Sequence, residues 1–407
     1  MEYPSIIIGA GPAGLAAGIA LLSFSPAARR LGSACILERN VVPGRKLLLS
    51  GSGQCNLTHG GNIADFLKHY GSPQKALFVK PALFAFTNTD AIRFFTERGV
   101  PLAERDDGKV FPKSLNSKDV LNALRNEFQR SGGILQTETT VLSVQKTDES
   151  FIVQTNRGQF VSQKLVIAAG GCSYPATGSD GSGWTLAEQL GHTVVPPKPA
   201  LTPVYVQNYA FTGCAGISFK QINIIIEHGG KRIAANCGDV LFTHHGLSGP
   251  GILDISRLIK AGDTVKLAFS GRTCSALTTL LTGGKNLKNA LSPLGIPEQF
   301  LVQLLKYLHI DPDKSASVVS RTERKNIESA LNGLPFVVEK LGNWNEAMAA
   351  AGGVALNEVN RQTMESRLVP GLFFCGEVLD IDGDTGGYNI QFALSSGAAV
   401  SPRRCGS

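Results

Sequence analysis

An α/β fold organised on a parallel sheet, with a β-rich segment and a helical segment set into it, is what this 407-residue sequence predicts. Three observations predict it. The apolar run Ser5-Ile6-Ile7-Ile8 breaks into Gly9, Gly11 and Gly14 in GxGxxG spacing and passes into Leu15-Ala16-Ala17, a strand feeding a tight turn and a helix. A second apolar strand, Ala34-Cys35-Ile36-Leu37, ends in an acid, Glu38, roughly the 20 or so residues downstream that a dinucleotide site uses. The same style returns at the far end of the chain, where Leu372-Phe373-Phe374 leads to Gly376-Glu377 and Gly386-Gly387 precede Tyr388-Asn389.

The opening turn has a physical reading residue by residue. Gly9 permits the turn, Gly11 lets a pyrophosphate approach the backbone, and Gly14 lets the helix pack closely on the strand. Free amides at the helix start, around Pro12 and Ala13, face the phosphates with the helix dipole behind them. Glu38 accepts a hydrogen bond from a ribose hydroxyl and repels a 2'-phosphate, and Arg39 beside it belongs to the same site. From Val42 to Thr58 the chain carries Gly44, Arg45, Lys46, Ser50, Gly53, Cys55 and Asn56. Such a mixture suits a backbone wrapped around an anionic ligand, with Arg45 and Lys46 near phosphate. A flexible surface loop is the alternative, against which Leu47-Leu48-Leu49 argues that part of the segment is packed.

Asn88 to Gly99 reads as a capped helix, and Ser117 starts another with Val120, Leu121, Leu124 and Phe128 on one face. Gly133 to Thr137 is a further parallel strand. Three short strands follow, around Val141 to Val144, Phe151 to Thr155 and Gln159 to Ser162, and then a separate buried strand, Lys164 to Ala168, closes on Ala169, Gly170 and Gly171. NAD-binding Rossmann domains run strand and helix without such a meander, whereas the two-dinucleotide-binding flavoprotein fold inserts it. The cofactor expected is therefore FAD, with Val141, Ala169 and Gly170 among the residues around it.

From Pro196 the pattern turns to prolines and β-branched residues, with strands at Thr202–Val206, Ile217–Glu227, Ile233–Ala235, Asp239–Thr243 and Thr264–Phe269, and a helix over Gly249–Ile259. Helical periodicity follows from about Cys274 to Asn332. The expected organisation is an FAD-binding domain from 1–192 and 346–407, a β-rich domain at 193–272, a helical domain at 273–333 and a return through the β-rich domain at 334–345. The last segment pairs a Gly-acid step, Gly376-Glu377 with Asp380 beyond it, with a glycine-led helix start at Gly386, Gly387, Tyr388 and Asn389. In FAD proteins of this fold such a pair sets an acid on the ribityl chain and a helix start against the flavin N1/C2=O edge, where its dipole stabilises the reduced ring, and the same is expected here.

The formal charge of +7 is dispersed, its clusters no larger than Arg29-Arg30 and Arg403-Arg404, so no basic stripe for nucleic acid is expected. Eight cysteines without a CxxC pair or metal spacing suggest a reducing cytoplasm and no metal site. A strand that begins almost at Met1 leaves no room for a signal peptide, and no apolar run approaches the 18 or so residues of a membrane span. The partner expected is a small-molecule substrate. The oligomeric state is not encoded legibly.

Four segments together carry a family resemblance: Gly44-Arg45-Lys46 through Ser50-Gly51-Ser52-Gly53-Gln54-Cys55-Asn56, Ala169 through Gly178, Leu241 through Pro250, and Gly376-Glu377-Val378-Leu379-Asp380 with Gly386-Gly387-Tyr388-Asn389. In these the sequence resembles the bacterial BaiN/YhiN-like flavoproteins, also called the aminoacetone-oxidase-type FAD-binding family. The resemblance covers nearly the whole chain. It implies a Rossmann-like FAD domain made from both chain ends, interrupted by a β-barrel-like and a helical domain, with noncovalent FAD and oxidoreductase activity. Members are linked with amine oxidation by oxygen and with reduction of unsaturated ketones. Two departures stand out: Gln54 replaces an arginine usual in the family, and the tail Ser401 to Ser407 lacks the apolar positions that would continue the last helix.

The chemistry expected is hydride transfer at flavin N5, in a cleft between the FAD and β-rich domains. Candidates near the ring are Cys55, Asn56, Tyr174 and Tyr388. Cys55 is either a redox thiol or a packing residue, and His244, beside His245, is either a proton donor or a structural residue at a turn. A second GxGxxG after a strand is missing, so NAD(P)H, if used, binds only transiently as co-substrate, with oxygen the alternative acceptor. Two other classes stay open: a flavin-binding or redox-sensing protein without turnover, and an NAD-linked dehydrogenase.

Overall fold

The computed structural model describes residues 1–23, 32–269, 279–281 and 284–400. Arg29-Arg30, Cys274, Cys405 and the tail 401–407 lie outside the described residues. The chain forms two compact units, one from Met1–Pro199 with Met348–Ser407, the other from Ala200–Ala347.

In the first unit the strand Glu2–Ile8 lies at the centre of a seven-stranded sheet. It pairs in parallel with Ala34–Leu37 on one side, Ile6 opposite Cys35, and with Gly158–Ile167 on the other, Ile6 opposite Leu165. Ile6 and Ile7 are fully buried, as a strand covered on both faces requires. Ile134–Gln136 extends the sheet beyond Ala34–Leu37, and Leu372–Phe374 pairs in parallel with Gly158–Ile167. The meander is present as Val141–Lys146 and Phe151–Thr155. Its third strand and the buried strand after it, expected to be separate, are one ten-residue strand. The polar residues at Gln163 and Lys164 resemble a break in the apolar pattern. They are instead the point where the strand changes neighbours: its beginning pairs antiparallel with Phe151–Thr155 and its end pairs in parallel with Leu372–Phe374.

The helix Pro12–Ser23 follows the first strand, and the last helix, Tyr388–Ala398, packs directly on it. A Cβ on Gly397 would run into the Ala13 carbonyl oxygen, and one on Gly376 would sit 2.7 Å from the Ala13 Cβ. The two chain ends are thus sealed at backbone distance. Gly18 similarly admits the ring of Phe128 from the helix Ser117–Arg130, whose N-cap is Asn116. The helix Asn88–Glu97 opens on a capping box made by Thr87 and Asp90, so its cap precedes Asn88. A three-stranded sheet of Thr58–His59, Lys109–Pro112 and Leu102–Glu104 completes the unit beside the strand pair Val194–Ala200 and Ala349–Val354.

The second unit is a closed barrel in the order Val204–Val206, Gly246–Ser248, Lys231–Phe242, Ser218–His228, Thr264–Ala268, Leu334–Leu341. The two strands expected between Ile233 and Thr243 are a single strand of twelve residues. Gly238, which reads as an interruption, is a close approach: a Cβ there would lie 2.8 Å from the Gly251 Cα. The expected helix over Gly249–Ile259 reduces to Pro250–Leu253, which packs on that strand, and a 3-10 turn at Ser256–Leu258. Helices Leu287–Leu291, Glu298–Tyr307 and Arg321–Gly333 contribute Leu291, Phe300, Leu304 and Leu331 to the same apolar cluster as barrel residues Ile224, Phe242 and Val265. Among the described residues no helix is long and apolar enough to cross a membrane.

The glycine seal has a direct test. Gly397→Val places branched carbons against the Ala13 backbone, an overpacking that costs about 1–3 kcal/mol. A thermal melt should fall by roughly 3–10 °C; an unchanged Tm would show that the helices have slack.

Candidate dinucleotide site

The opening turn has the geometry its glycines predict. Gly9 adopts φ 102°, with a Cβ there only 2.6 Å from the Ala168 carbonyl oxygen, and a Cβ on Gly14 would collide with the Gly9 carbonyl. Gly11 differs: a Cβ added to it meets nothing within 4 Å. The helix ladder begins with Leu15 N–H donating to the Gly11 carbonyl at 3.0 Å, so the Ala13 and Gly14 amides stand ahead of it with no carboxylate in the first turn. This is a cradle of the sort an anion fills.

Glu38 is buried at the edge of that cradle, 6% exposed. Its Oε2 accepts from the Ala10 amide at 2.9 Å, and its Oε1 accepts from the Asn40 amide at 2.8 Å and the Asn40 side chain at 2.7 Å. A carboxylate accepts about four hydrogen bonds, so the position left over suits one ribose hydroxyl. The adjoining residues are committed elsewhere. Arg39 donates to the Gly178 carbonyl and pairs with Asp180, Asn40 donates to the Thr177 carbonyl, and Arg45, exposed, donates to Asn40. Gly170, at φ 77°, lets Ser179 approach. Ala169 abuts Gly9, and Val141 lies just beyond Thr139, whose amide donates to the Glu38 carbonyl.

The loop after Gly44 is locked by left-handed turns. Gly44, Gly51, Ser52, Gly53 and Cys55 all have positive φ, and Ser50 donates to the Leu47 carbonyl at 2.6 Å. Lys46, expected near phosphate, has its ammonium 2.5 Å from Glu377 Oε2 and within hydrogen-bond reach of Ser173. Glu377 Oε1 accepts from the Ala350 amide at 2.8 Å and from Ser173 Oγ at 3.1 Å. Asp380 accepts from Lys75 at 2.7 Å and from the Gly352 amide at 2.9 Å, while Lys75 also donates to Asp382 at 2.7 Å. Burial alone would pull the Lys75 pKa down; Asp382 and Asp380 more than offset it and hold the ammonium above its ordinary value. Lys75 is a residue that sequence reasoning missed, because its partners lie about three hundred residues away.

Cys55 is fully buried, and burial pushes its pKa up to about 12, so at neutral pH it is a thiol with no access to solvent. Such burial favours the packing reading of Cys55 over a redox or nucleophilic one. Asn56, with its amide oriented to its surroundings, donates to the Thr58 carbonyl at 3.0 Å and accepts from the Gly387 amide at 3.2 Å. It ties the loop to the start of the last helix. There a Cβ on Gly387 would sit 2.6 Å from the Thr58 carbonyl oxygen, Gly386 takes φ 120°, and Asn389 closes on both the amide and the carbonyl of Gly383. The Tyr388 ring is stacked between His69, at 4.1 Å, and His59, at 5.4 Å, with Phe66 edge-on. These three neighbours carry no spacing signal that would have found them.

Tyr174 is half-buried in a left-handed turn, φ 52°, and its carbonyl accepts from Thr177. His244 belongs to the second unit and is exposed, its carbonyl accepting from Thr212 and its ring 6.4 Å from that of His245. Gln54, where a cation was missing, accepts from the Arg105 guanidinium at 2.8 Å, which in turn lies 3.8 Å over the Phe111 ring. An arginine from the neighbouring hairpin therefore reaches that position. Among the described residues no group of three or more His, Cys, Asp or Glu could hold a metal ion.

Residues 3–402 match the family described as HI0933-like protein Rossmann domain. The ribosomal RNA dihydrouridine synthase of Escherichia coli (strain K12) is 32% identical over 98% of this chain and 97% of its own length. The 3-dehydro-bile acid delta(4,6)-reductase of Clostridium scindens is 30% identical over 96% of each. Among solved structures, a quinol-fumarate reductase with menaquinol molecules is similar with a TM-score of 0.50 at 16% identity, covering 98% of this chain and 70% of that one, a likeness of fold.

Two outcomes are expected of this site. Gly11→Ala should leave the Tm of the apoprotein within a few degrees of wild type, since nothing crowds the new methyl, yet abolish dinucleotide retention on purification. Brief alkylation of the native protein should label exposed Cys237 and spare Cys55 and Cys375; peptide mass spectrometry showing equal labelling would contradict the burial argument.

Proposed function

The chain belongs to the HI0933-like Rossmann-domain family, and we propose that within it this protein is an FAD-dependent reductase of carbon–carbon double bonds conjugated to a carbonyl group. The observation that carries the reading is full-length similarity to two enzymes whose named reactions share one bond change. Dihydrouridine is uridine with two hydrogens added across a double bond next to a carbonyl. A delta(4,6)-reductase of a 3-dehydro-bile acid adds hydrogens to double bonds conjugated with a ketone.

The residues present fit FAD. The open face at Gly11 and the amides of Ala13 and Gly14 would hold the pyrophosphate, and Glu38 would take the adenosine ribose. Glu377 and Asp380, each neutralised by a lysine, would face the ribityl side, and Gly386, Gly387 and the start of the last helix the ring. Bound flavin would supply hydride chemistry at N5. The protein's part is to bind, orient and exclude water. Lys46 and Lys75 offset the charge of these two half-buried acids beside a ligand that itself carries phosphates. The helix start at Tyr388 lends positive potential where a reduced ring is negative. The electrons arrive from NAD(P)H bound transiently. The substrate is a small molecule or uracil ring, met in a reducing cytoplasm that suits the free thiols.

Anaerobic mixing tests this. NADH or NADPH should bleach the flavin band near about 450 nm, and 2-cyclohexen-1-one or a uridine-containing RNA fragment should then restore it. Bleaching by an amine substrate, with oxygen alone restoring the band, would make the protein an oxidase and refute the reading.

A further inference from the structure

Adding hydrogen across a conjugated double bond needs a hydride at the β carbon and a proton at the α carbon. The proton must come from a group that is held, oriented and reachable. Among the described histidines of the first unit, His59 has its ring nitrogens against the Gly60 and Asp107 carbonyls, each at 3.1 Å. His192 is buried against Ser366 at 2.8 Å. Cys55 is a buried thiol, and Tyr388 is buried too, its ring stacked on both His59 and His69.

His69 is different. It ends the 3-10 turn Ile63–His69, and its Nδ1 lies 3.0 Å from Asp384 Oδ2. The Asp384 amide donates to the His69 carbonyl at 2.9 Å, so main chain and side chain are both pinned to the loop that precedes the last helix. Its ring stacks at 12° on Tyr388, the first residue of that helix. The side chain remains 36% exposed. The neighbouring charges are already engaged: Asp65 with Lys68 at 2.6 Å, and Lys75 with Asp380 and Asp382. A carboxylate on Nδ1 fixes the ring, and with Nδ1 so engaged it is Nε2 that can carry a proton to a ligand.

We propose that His69, oriented by Asp384, is the proton donor of the reduction, an assignment that rests on the reductase reading above. The hydride from the reduced cofactor forms the new bond at the β carbon. The π pair of the double bond moves toward the carbonyl and takes the proton from His69 Nε2 at the α carbon. Imidazolium becomes neutral imidazole, and water returns the proton.

The test uses holoenzyme, photoreduced without oxygen and mixed with 2-cyclohexen-1-one. His69→Phe keeps a stacking ring without nitrogens, His69→Ala opens a space, and Asp384→Asn removes the orienting charge. Each should retain FAD. Reoxidation by the enone should slow by about 10²–10⁴-fold in both His69 variants and less in Asp384→Asn. Added imidazole should restore His69→Ala at least about tenfold toward wild type, which a structural role would not allow. Independently of turnover, ¹⁵N spectra of the apoprotein at a pH alkaline enough to leave the ring neutral should show the proton kept on Nδ1 of His69, a preference lost in Asp384→Asn. Wild-type rates in His69→Phe, or slow His69→Ala without imidazole rescue, overturn the assignment and leave the reductase reading standing. Wild-type enzyme that neither the enone nor a uridine-containing RNA reoxidises overturns both.

Discussion

The first unit depends on the contact between its first and last helices. Ala13 and Ala16 meet Gly397, and Ala13 meets Gly376, at distances that leave no room for a Cβ on either glycine. The closure joins ends of the chain nearly four hundred residues apart, so its loop entropy must be offset by close packing along the whole seam. The consequence for the site is geometric. The phosphate turn at Gly9 to Gly14 and the helix start at Gly386 to Tyr388 are fixed with respect to each other, because the helices behind them share one interface.

Around that seam the charges are arranged in pairs across the same long separation. Lys46 meets Glu377, Lys75 meets Asp380 and Asp382, and His69 meets Asp384. Each pair takes one member from the early chain and one from the segment 377–384. Partly buried ion pairs contribute little net stability, but removing one partner strands the other, so they fix register strongly. Asn56 on Gly387 and Tyr70 on the Tyr388 carbonyl do the same with uncharged groups. The loop before the last helix is thereby held from several directions at once.

Much of this was legible in the sequence. The strand-turn-helix at Ser5 to Ala17, the acid at Glu38 and the return of glycine turns near Gly376 follow local rules of backbone freedom and apolar patterning, and all appear in the fold. What was not legible depends on tertiary partners. The single strand Gly158–Ile167 reads as two because its neighbours change midway, and Lys231–Phe242 reads as two because Gly238 yields to a helix. His59, His69 and Lys75 look like ordinary surface residues until the last forty residues fold against them. Lys46 reads as a phosphate ligand because a cation in a glycine-rich loop has that prior; its partner in the fold, Glu377, lies too far along the chain for spacing to reveal. Cys55 reads either as a redox thiol or as a packing residue until its burial, which favours packing, is known.

The central claim is that one cofactor site is built from both ends of the chain. Hydrogen exchange of the apoprotein with and without FAD tests it most directly. The account predicts simultaneous slowing of amides at 11–15 and at 383–390, with little change in the barrel strands. Protection confined to one of those two segments would contradict it.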